Sequence, residues 1–94
     1  MNRDSSDALQ TSPRTGLTVD MVLAELQRLP GWHGAVEPLT PIIDSGQLDS
    51  LGIVALLPWI EREFKLEIPD HEFRFSHFET PQSIADLIER LQRQ

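Results

Sequence analysis

The sequence predicts an all-α fold, and more narrowly a small four-helix bundle with three main helices, one short helix and a long loop between helices one and two. Three observations support this prediction. Apolar residues recur at helical spacing in three separate segments, signals that start and stop helices bracket those segments, and no stretch alternates as a strand does. The 94 residues suffice for one small domain with a modest core, so we expect no deep catalytic cleft.

Helix one is predicted from about Val19 to Leu29, with Thr18 as its N-cap and a Pro-Gly pair as its stop. The residues before it are rich in Ser, Thr, Asp and Arg and nearly free of large apolar side chains. Such a composition cannot offset the entropy lost on ordering. We therefore expect a mobile tail over residues 1–16 and a folded domain over residues 17–94.

A long loop is predicted after helix one, because residues 30–48 contain several Pro and Gly and no sustained period. Helix two is predicted to begin at Asp49 or Ser50 and to end near Phe64. Pro58 lacks the N–H that would complete a helical hydrogen bond, so we expect a kink there and not a stop. The apolar residues of the loop expected to fold back over the helices are Trp32, Val36, Leu39, Ile42 and Ile43.

Helix two carries apolar residues on two nearly opposite faces when it is laid out at about 100° per residue. The first face contains Ile53, Leu56, Leu57, Ile60 and Phe64. The second face contains Leu51, Val54, Ala55 and Pro58 and ends at Arg62. A surface helix of a small domain buries a single stripe, so the second face has no obvious intramolecular use. We interpret this second face as a docking surface.

Two helical segments follow helix two. Asp70 is expected to cap a short helical turn, and the last helix has Thr80 as its N-cap and Pro81 at its first position. The apolar stripe of the last helix consists of Ile84, Leu87, Ile88 and Leu91. On its exposed side Asp86 is expected to pair with Arg90. The phenylalanines expected to close the core are Phe73, Phe75 and Phe78.

Charge and composition exclude several classes of function. Lys and Arg number 8 against 15 Asp and Glu, and a formal net charge of −7 repels nucleic acid and anionic lipid while favouring partners with basic patches. Without cysteine the chain has no disulfide, no zinc knuckle and no thiol of its own. It shows neither a signal-peptide core nor an apolar run of membrane-spanning length, so we expect a cytoplasmic protein.

Ser50 is the candidate functional residue. A serine in front of an apolar helix is most often only an N-cap, and the pairs Asp4-Ser5 and Asp44-Ser45 resemble Asp49-Ser50. Only Ser50 stands at the start of an amphipathic helix, next to an unused apolar face. An anion attached there would be favoured by the positive end of the helix dipole, typically by about 0.3–1 kcal/mol.

Four motifs stand between Ile42 and Leu91: Ser45-Gly46-Gln47-Leu48-Asp49-Ser50-Leu51, Ile60-Glu61-Arg62-Glu63-Phe64, Glu67-Ile68-Pro69-Asp70 and His77-Phe78-Glu79-Thr80. Through these motifs the chain resembles the acyl and peptidyl carrier proteins, which tether intermediates on a 4′-phosphopantetheine arm. The resemblance implies that Ser50 receives the arm through a phosphodiester, and that Asp49 helps to dock the modifying transferase and its magnesium. It further implies that the chain is a carrier and not an enzyme.

The resemblance also implies partners. These are a phosphopantetheinyl transferase, an acyl- or aminoacyl-activating enzyme, and downstream condensing or transfer enzymes. The implied partner-binding residues are Leu51, Val54, Ala55, Pro58, Glu61 and Arg62. Ile68 matches a position near the bound acyl chain. Relatives often carry an acidic residue where this chain has Ala55, so we expect docking to be more apolar. We expect a monomeric, freestanding carrier protein domain over residues 17–94 that binds neither nucleic acid nor membrane.

The main alternative is a helical interaction module that is never modified and uses the same apolar face to bind another helix. A hydrolase built from Ser50, His77 and Asp49 is disfavoured because the sequence has no Gly-x-Ser-x-Gly elbow. The histidines, His33 among them, are too scattered to predict a metal site. A helix-turn-helix DNA binder would need a basic recognition helix, and neither helix two nor the last helix is basic.

Overall fold

The structure is a computed structural model that describes residues 17–93. Over these residues the chain is entirely helical, with three α-helices, two 3-10 turns and no strand. The helices are α1 (residues 17–27), α2 (Ser50–Phe64) and α3 (Pro81–Gln92), and the 3-10 turns are Asp70–Glu72 and Phe75–Phe78. The predicted all-α class is confirmed, whereas the tail predicted over residues 1–16 lies outside the described residues.

Helix α1 differs from its prediction at both ends. Leu17 is already helical and Thr18 is buried inside the helix, so Thr18 is not the N-cap. After residue 27 the backbone changes from α-helical to 3-10 hydrogen bonding. The N–H groups of Arg28 and Leu29 bond to the carbonyls three residues back, those of Glu25 and Leu26. The spacing of Val22 and Leu26 correctly predicted which side of α1 is buried.

Helix α2 runs without interruption through Pro58, so the proline is not a stop; the kink expected there stays a prediction. The helix ends at Phe64 and is capped by Lys65, whose positive φ of 55° and N–H bond to the Glu61 carbonyl form a left-handed C-cap. Its first face supplies the buried residues Ile53, Leu56 and Ile60. The second face is exposed, as predicted, at Leu51, Val54, Ala55, Pro58 and Arg62.

Residues 28–49 contain turns and bends but no helix. Backbone hydrogen bonds join this segment to the start of α3, from the Ile42 N–H to the Glu79 carbonyl at 2.9 Å and from the Gln82 N–H to the Pro38 carbonyl at 2.9 Å. The residues that fold back onto the core, as expected, are Trp32, Val36, Ile42 and Ile43. Leu39 does not, since 75% of its surface is exposed.

Helix α3 matches its prediction closely. The Thr80 hydroxyl accepts the Ser83 N–H at 3.0 Å and the Ser83 hydroxyl accepts the Thr80 N–H at 3.1 Å, which is a reciprocal capping box. Pro81 occupies the first turn, where a missing N–H costs nothing. The predicted apolar stripe is buried at Ile84, Leu87, Ile88 and Leu91.

The predicted pairing of Arg90 with Asp86 is wrong. Arg90 instead reaches the buried carboxylate of Glu72, with N–O distances of 2.8 Å and 3.0 Å, and Asp86 accepts a hydrogen bond from Gln82. The His77 Nε2 lies 3.1 Å from the same Glu72 carboxylate. The hydrogen bond from Arg90 outweighs the opposing effect of burial and lowers the pKa of Glu72 from 4.5 to about 2.

The Glu72–Arg90 pair ties the first 3-10 turn to α3, and this turn stands where the short fourth helix was predicted. Pro69 precedes the turn and Asp70 is its first residue, without a side-chain capping bond. Asp70 is therefore not the cap that the sequence suggested. The reason is that the turn begins one residue earlier than predicted, so that Pro69, which has no side-chain acceptor, occupies the N-cap position.

The lowered pKa of Glu72 predicts a specific loss of stability in acid. A carboxylate with a pKa of about 2 in the folded chain and 4.5 ordinarily stabilises the fold above pH 4.5, and this contribution disappears as the pH falls towards 2. Glu72→Gln should be less stable than wild type at neutral pH, and the difference between them should shrink across that window. Urea unfolding at several pH values measures it, with Glu79→Gln at an exposed position as the control. A difference independent of pH would contradict the assignment.

Candidate functional site

The start of α2 is placed by a tight turn that buries Leu48 directly before it. Gly46 has a φ of +83°, which favours glycine, and the Leu48 N–H bonds to the Ile42 carbonyl at 2.8 Å. Gly52 then lets α2 approach this leucine, since a Cβ at Gly52 would lie 2.7 Å from Leu48 Cδ1. With Leu48 fixed beneath the helix, the next two residues are both exposed.

Asp49, and not Ser50, caps α2. The Asp49 Oδ1 accepts the Gly52 N–H at 2.9 Å, and the Asp49 carbonyl accepts the Ile53 N–H at 2.9 Å. Ser50 is the first residue of the helix and is exposed, and its hydroxyl takes part in no hydrogen bond among residues 17–93. The structure therefore presents the Ser50 hydroxyl, exposed and without a hydrogen-bond partner in the described residues, at the positive end of a 15-residue helix.

Ser45 has a different environment, although it also follows an aspartate. Its hydroxyl donates to the Gln47 Oε1 at 2.9 Å and lies 3.3 Å from the Ile42 carbonyl. The other end of the Gln47 amide donates to the His33 carbonyl at 2.9 Å. Ser45 is thus used to build the turn that leads into α2.

An apolar pocket of about 180 Å³, called here the Ser50 pocket, opens beside the start of α2. Its lining consists of Ser50, Ile53, Val54, Leu57, Phe73, Arg74, Phe75 and Phe78. Phe78 is buried in the core as predicted, but Phe73 and Phe75 are 48% and 59% exposed, so the prediction that they close the core is wrong. The chain is extended at Arg74, between the two 3-10 turns, and the flanking phenylalanines line the pocket.

A second pocket of about 390 Å³, the Trp32 pocket, lies at the same end of α2. Its lining consists of Leu29, Pro30, Gly31, Trp32, Gly46, Gln47, Leu48, Asp49, Leu51, Gly52 and Ala55. The Trp32 Nε1 is buried and has no hydrogen-bond partner in the described part of the chain. The residues of the second face of α2 are therefore divided between the two pockets. Val54 lines the Ser50 pocket, and Leu51 and Ala55 line the Trp32 pocket.

Glu61 and Ile68, two further predicted site residues, contact each other. The Glu61 carboxylate accepts the Ile68 N–H at 3.0 Å and is half-buried, so one of its oxygens already has an internal partner. The Ile68 side chain is buried in the core and lines neither pocket. Pro58 and Arg62 remain exposed further along α2.

The rival chemistries find no support in this geometry. His77 lies against Glu72 and does not line the Ser50 pocket, so Ser50 and His77 are not brought together there. Within residues 17–93 no cluster of three His, Asp or Glu side chains is arranged to hold a metal ion. Nor does any helix in that range have the length and apolar character needed to cross a membrane.

Sequence reasoning missed the pocket wall formed by Phe73, Arg74 and Phe75. The only local signal is the alternation of two aromatic residues around an arginine, which is also what a buried segment can show. It missed Glu72 as well, because nothing local marks a carboxylate whose partner lies 18 residues away. Both features depend on how the segment between α2 and α3 is tied down.

Known proteins that are similar to this chain are carrier proteins. Residues 17–88 match the phosphopantetheine attachment site family. Over 71 residues the chain is 39% identical to D-alanyl carrier protein 1 of Lactiplantibacillus plantarum and 37% identical to D-alanyl carrier protein 2 of that organism; each match covers 76% of this chain and 89% of the relative. It is also similar to the D-alanyl carrier protein of Lacticaseibacillus casei, at 37% identity over 54% of this chain and 63% of the relative.

Proposed function

The chain belongs to the phosphopantetheine attachment site family and is a carrier protein with a covalently attached 4′-phosphopantetheine, and from this premise we propose that Ser50 holds the group. One observation carries the proposal: the Ser50 hydroxyl is exposed and unengaged because Asp49 performs the capping. The hydroxyl of Ser45, by contrast, is bonded within its own turn.

The residues around Ser50 fit an attached phosphodiester. The first turn of a helix has N–H groups without intrahelical partners, and with the dipole these favour an anion bound to the serine oxygen. Asp49 and Leu48 keep the first turn in place, and the Ser50 pocket offers apolar surface next to the attachment point. The group supplies the thiol that the chain lacks, and its thioester holds the cargo.

The wider proposal is a non-catalytic carrier that shuttles acyl or aminoacyl groups between biosynthetic enzymes. Its carrier protein domain covers residues 17–94, built as a small four-helix bundle with a long loop between the first two helices. Its partners are a phosphopantetheinyl transferase, an activating enzyme and condensing or transfer enzymes. The net charge of −7 supports a monomer that binds neither nucleic acid nor anionic membrane, and the cytoplasm is its proposed location.

Modification at Ser50 is tested by intact mass. Incubation with coenzyme A, magnesium and a phosphopantetheinyl transferase should add one phosphopantetheine to wild type and none to Ser50→Ala, because no other hydroxyl is expected to be accepted. Ser45→Ala is the matched control and should still be modified. Modification of Ser50→Ala, or none of wild type with several competent transferases, would reject the assignment and favour the unmodified interaction module.

The second face of α2 is proposed as the surface that partner enzymes contact. Leu51 and Val54 are 79% and 63% exposed, large values for side chains of this kind, and Ala55, Pro58 and Arg62 continue the surface. Glu61 contributes at most one carboxylate oxygen, since the other accepts the Ile68 N–H.

Asp49 is proposed to aid the transferase through its negative charge. A comparison of modification rates between wild type and Asp49→Asn measures this effect.

Ala55→Glu should slow modification and loading because it places an unpaired charge in an apolar contact. The expected fall in kcat/KM is roughly tenfold, from the cost of burying one unsatisfied charged group. Gln92→Glu, which adds the same charge at an exposed position on α3, is the matched control and should behave as wild type. Equal rates for the two variants would show that partners do not use this face.

An aminoacyl cargo is proposed, with D-alanine the specific candidate, because the chain is similar to D-alanyl carrier proteins over 76% of its length. The modified protein, incubated with ATP, D-alanine and a D-alanine-activating enzyme, should gain one D-alanyl group by mass. L-Alanine with the same enzyme, and acetate or a long fatty acid with their own activating enzymes, should load at least tenfold more slowly. Faster loading with a fatty acid would replace the aminoacyl assignment.

A further inference from the structure

We propose that Phe73, Arg74 and Phe75 form a docking site on the protein body for the phosphopantetheine arm, with Arg74 facing its phosphodiester. The inference rests on the proposed attachment at Ser50 and goes beyond it. It assigns a ligand to the Ser50 pocket and a positioning role to a residue that no sequence motif singled out.

The occupant follows from where the arm starts. Ser50 is part of the pocket lining, so a group attached to its oxygen starts at the pocket. It can enter the pocket without first diffusing to it from solution. A tethered group has a high effective concentration at a site beside its anchor, which raises the occupancy of even a weak pocket. The arm is therefore the ligand that meets this pocket most often.

Charge supports the same occupant. Arg74 is the only charged residue among those that line the pocket, and it lies there in a chain whose net charge is −7. Its Nε donates to the His71 carbonyl at 3.3 Å, which steadies the side chain, and its terminal guanidinium nitrogens have no hydrogen-bond acceptor within residues 17–93. Arg90 and Arg28, by contrast, are paired with Glu72 and Glu25. Guanidinium groups match phosphate oxygens in both charge and geometry.

The remaining surface of the pocket suits the rest of the arm. The pantoyl portion of phosphopantetheine carries two methyl groups on one carbon, which a methylene group joins to the phosphate oxygen. The pocket offers exposed rings of Phe73 and Phe75 next to Val54 and Leu57 of α2. Burial of these methyl groups against the rings removes apolar surface of both partners from water, and the polar amides beyond them stay in solvent.

The aromatic wall, formed by residues 73–75, is fixed on both sides by the rest of the chain. It is therefore already in place without the arm. On one side Glu72 is bonded to Arg90 of α3, and on the other Phe78 is buried in the core. Only residues 73–75 of this stretch carry large side chains into the pocket without being buried themselves. A preorganised wall lowers the entropic cost of docking.

NMR of the modified full-length chain tests the proposal, after mass spectrometry has located the group on Ser50. The geminal methyl protons should shift upfield from their position in free pantetheine and show NOEs to ring protons of Phe73 or Phe75. Arg74→Gln should reduce the ratio of docked to free arm by about 1.5- to fivefold, as expected for an exposed ion pair. Arg93→Gln, which changes an exposed arginine after α3 that lies outside both the pocket and the proposed partner face, is the control and should leave the shifts unchanged.

Two further measurements separate the possible outcomes. About 1 M NaCl, where the screening length is about 3 Å, should lower the docked-to-free ratio of wild type to about that of Arg74→Gln and have little effect in the variant. Phe75→Leu should remove most of the upfield shift while Ser50 is still modified. Methyl shifts equal to those of free pantetheine, with no NOE to either ring, would overturn docking and leave the proposed function intact. Absence of modification at Ser50 would overturn both.

Discussion

The hydrogen bond from the Gly52 N–H to the Asp49 carboxylate is the contact on which the rest of the site depends. It fixes the start of α2 at residue 50 and satisfies a backbone donor of the first turn, a role that serine also performs well in other helices. Because the aspartate takes this role, the Ser50 hydroxyl keeps its hydrogen-bonding capacity and stays exposed. The buried Leu48 beneath the turn, packed against the bare Cα of Gly52, holds the arrangement against the core.

The remainder of the fold supports this end of α2 from two sides. Residues 28–49 are joined to the start of α3 through Ile42 and Pro38, which holds the turn before α2 in place. The segment between α2 and α3 is tied to α3 by the bidentate Glu72–Arg90 pair, and Phe73 and Phe75 of this segment line the same pocket as Ser50. A modest core is thus sufficient for a carrier, because the fold has to position only one short region, the start of α2.

Local signals predicted the parts of the molecule that are determined locally. Thr80 and Pro81 mark the start of α3, and the spacing of apolar residues in α2 separates its buried face from its exposed one. Tertiary contacts decided the rest. Phe73 and Phe75 carry the composition of core residues but are held at the surface by anchors on either side, and Arg90 prefers a buried carboxylate to the Asp86 one turn away. The sequence singled out Ser50 and Asp49 as candidates, while the structure was needed to show that Asp49 caps the helix and leaves the Ser50 hydroxyl without a partner.

The most direct measurement compares the rates of Ser50 modification in Asp49→Asn and Asp49→Ala. Both variants remove the charge, but only asparagine keeps an acceptor for the Gly52 N–H, and loss of an N-cap costs about 0.5–2 kcal/mol. If capping by Asp49 is what frees the serine, Asp49→Ala should be modified more slowly than Asp49→Asn, because Ser50 is then recruited as the cap or the first turn loosens. Equal rates in the two variants, with the expected difference in unfolding free energy, would contradict this claim.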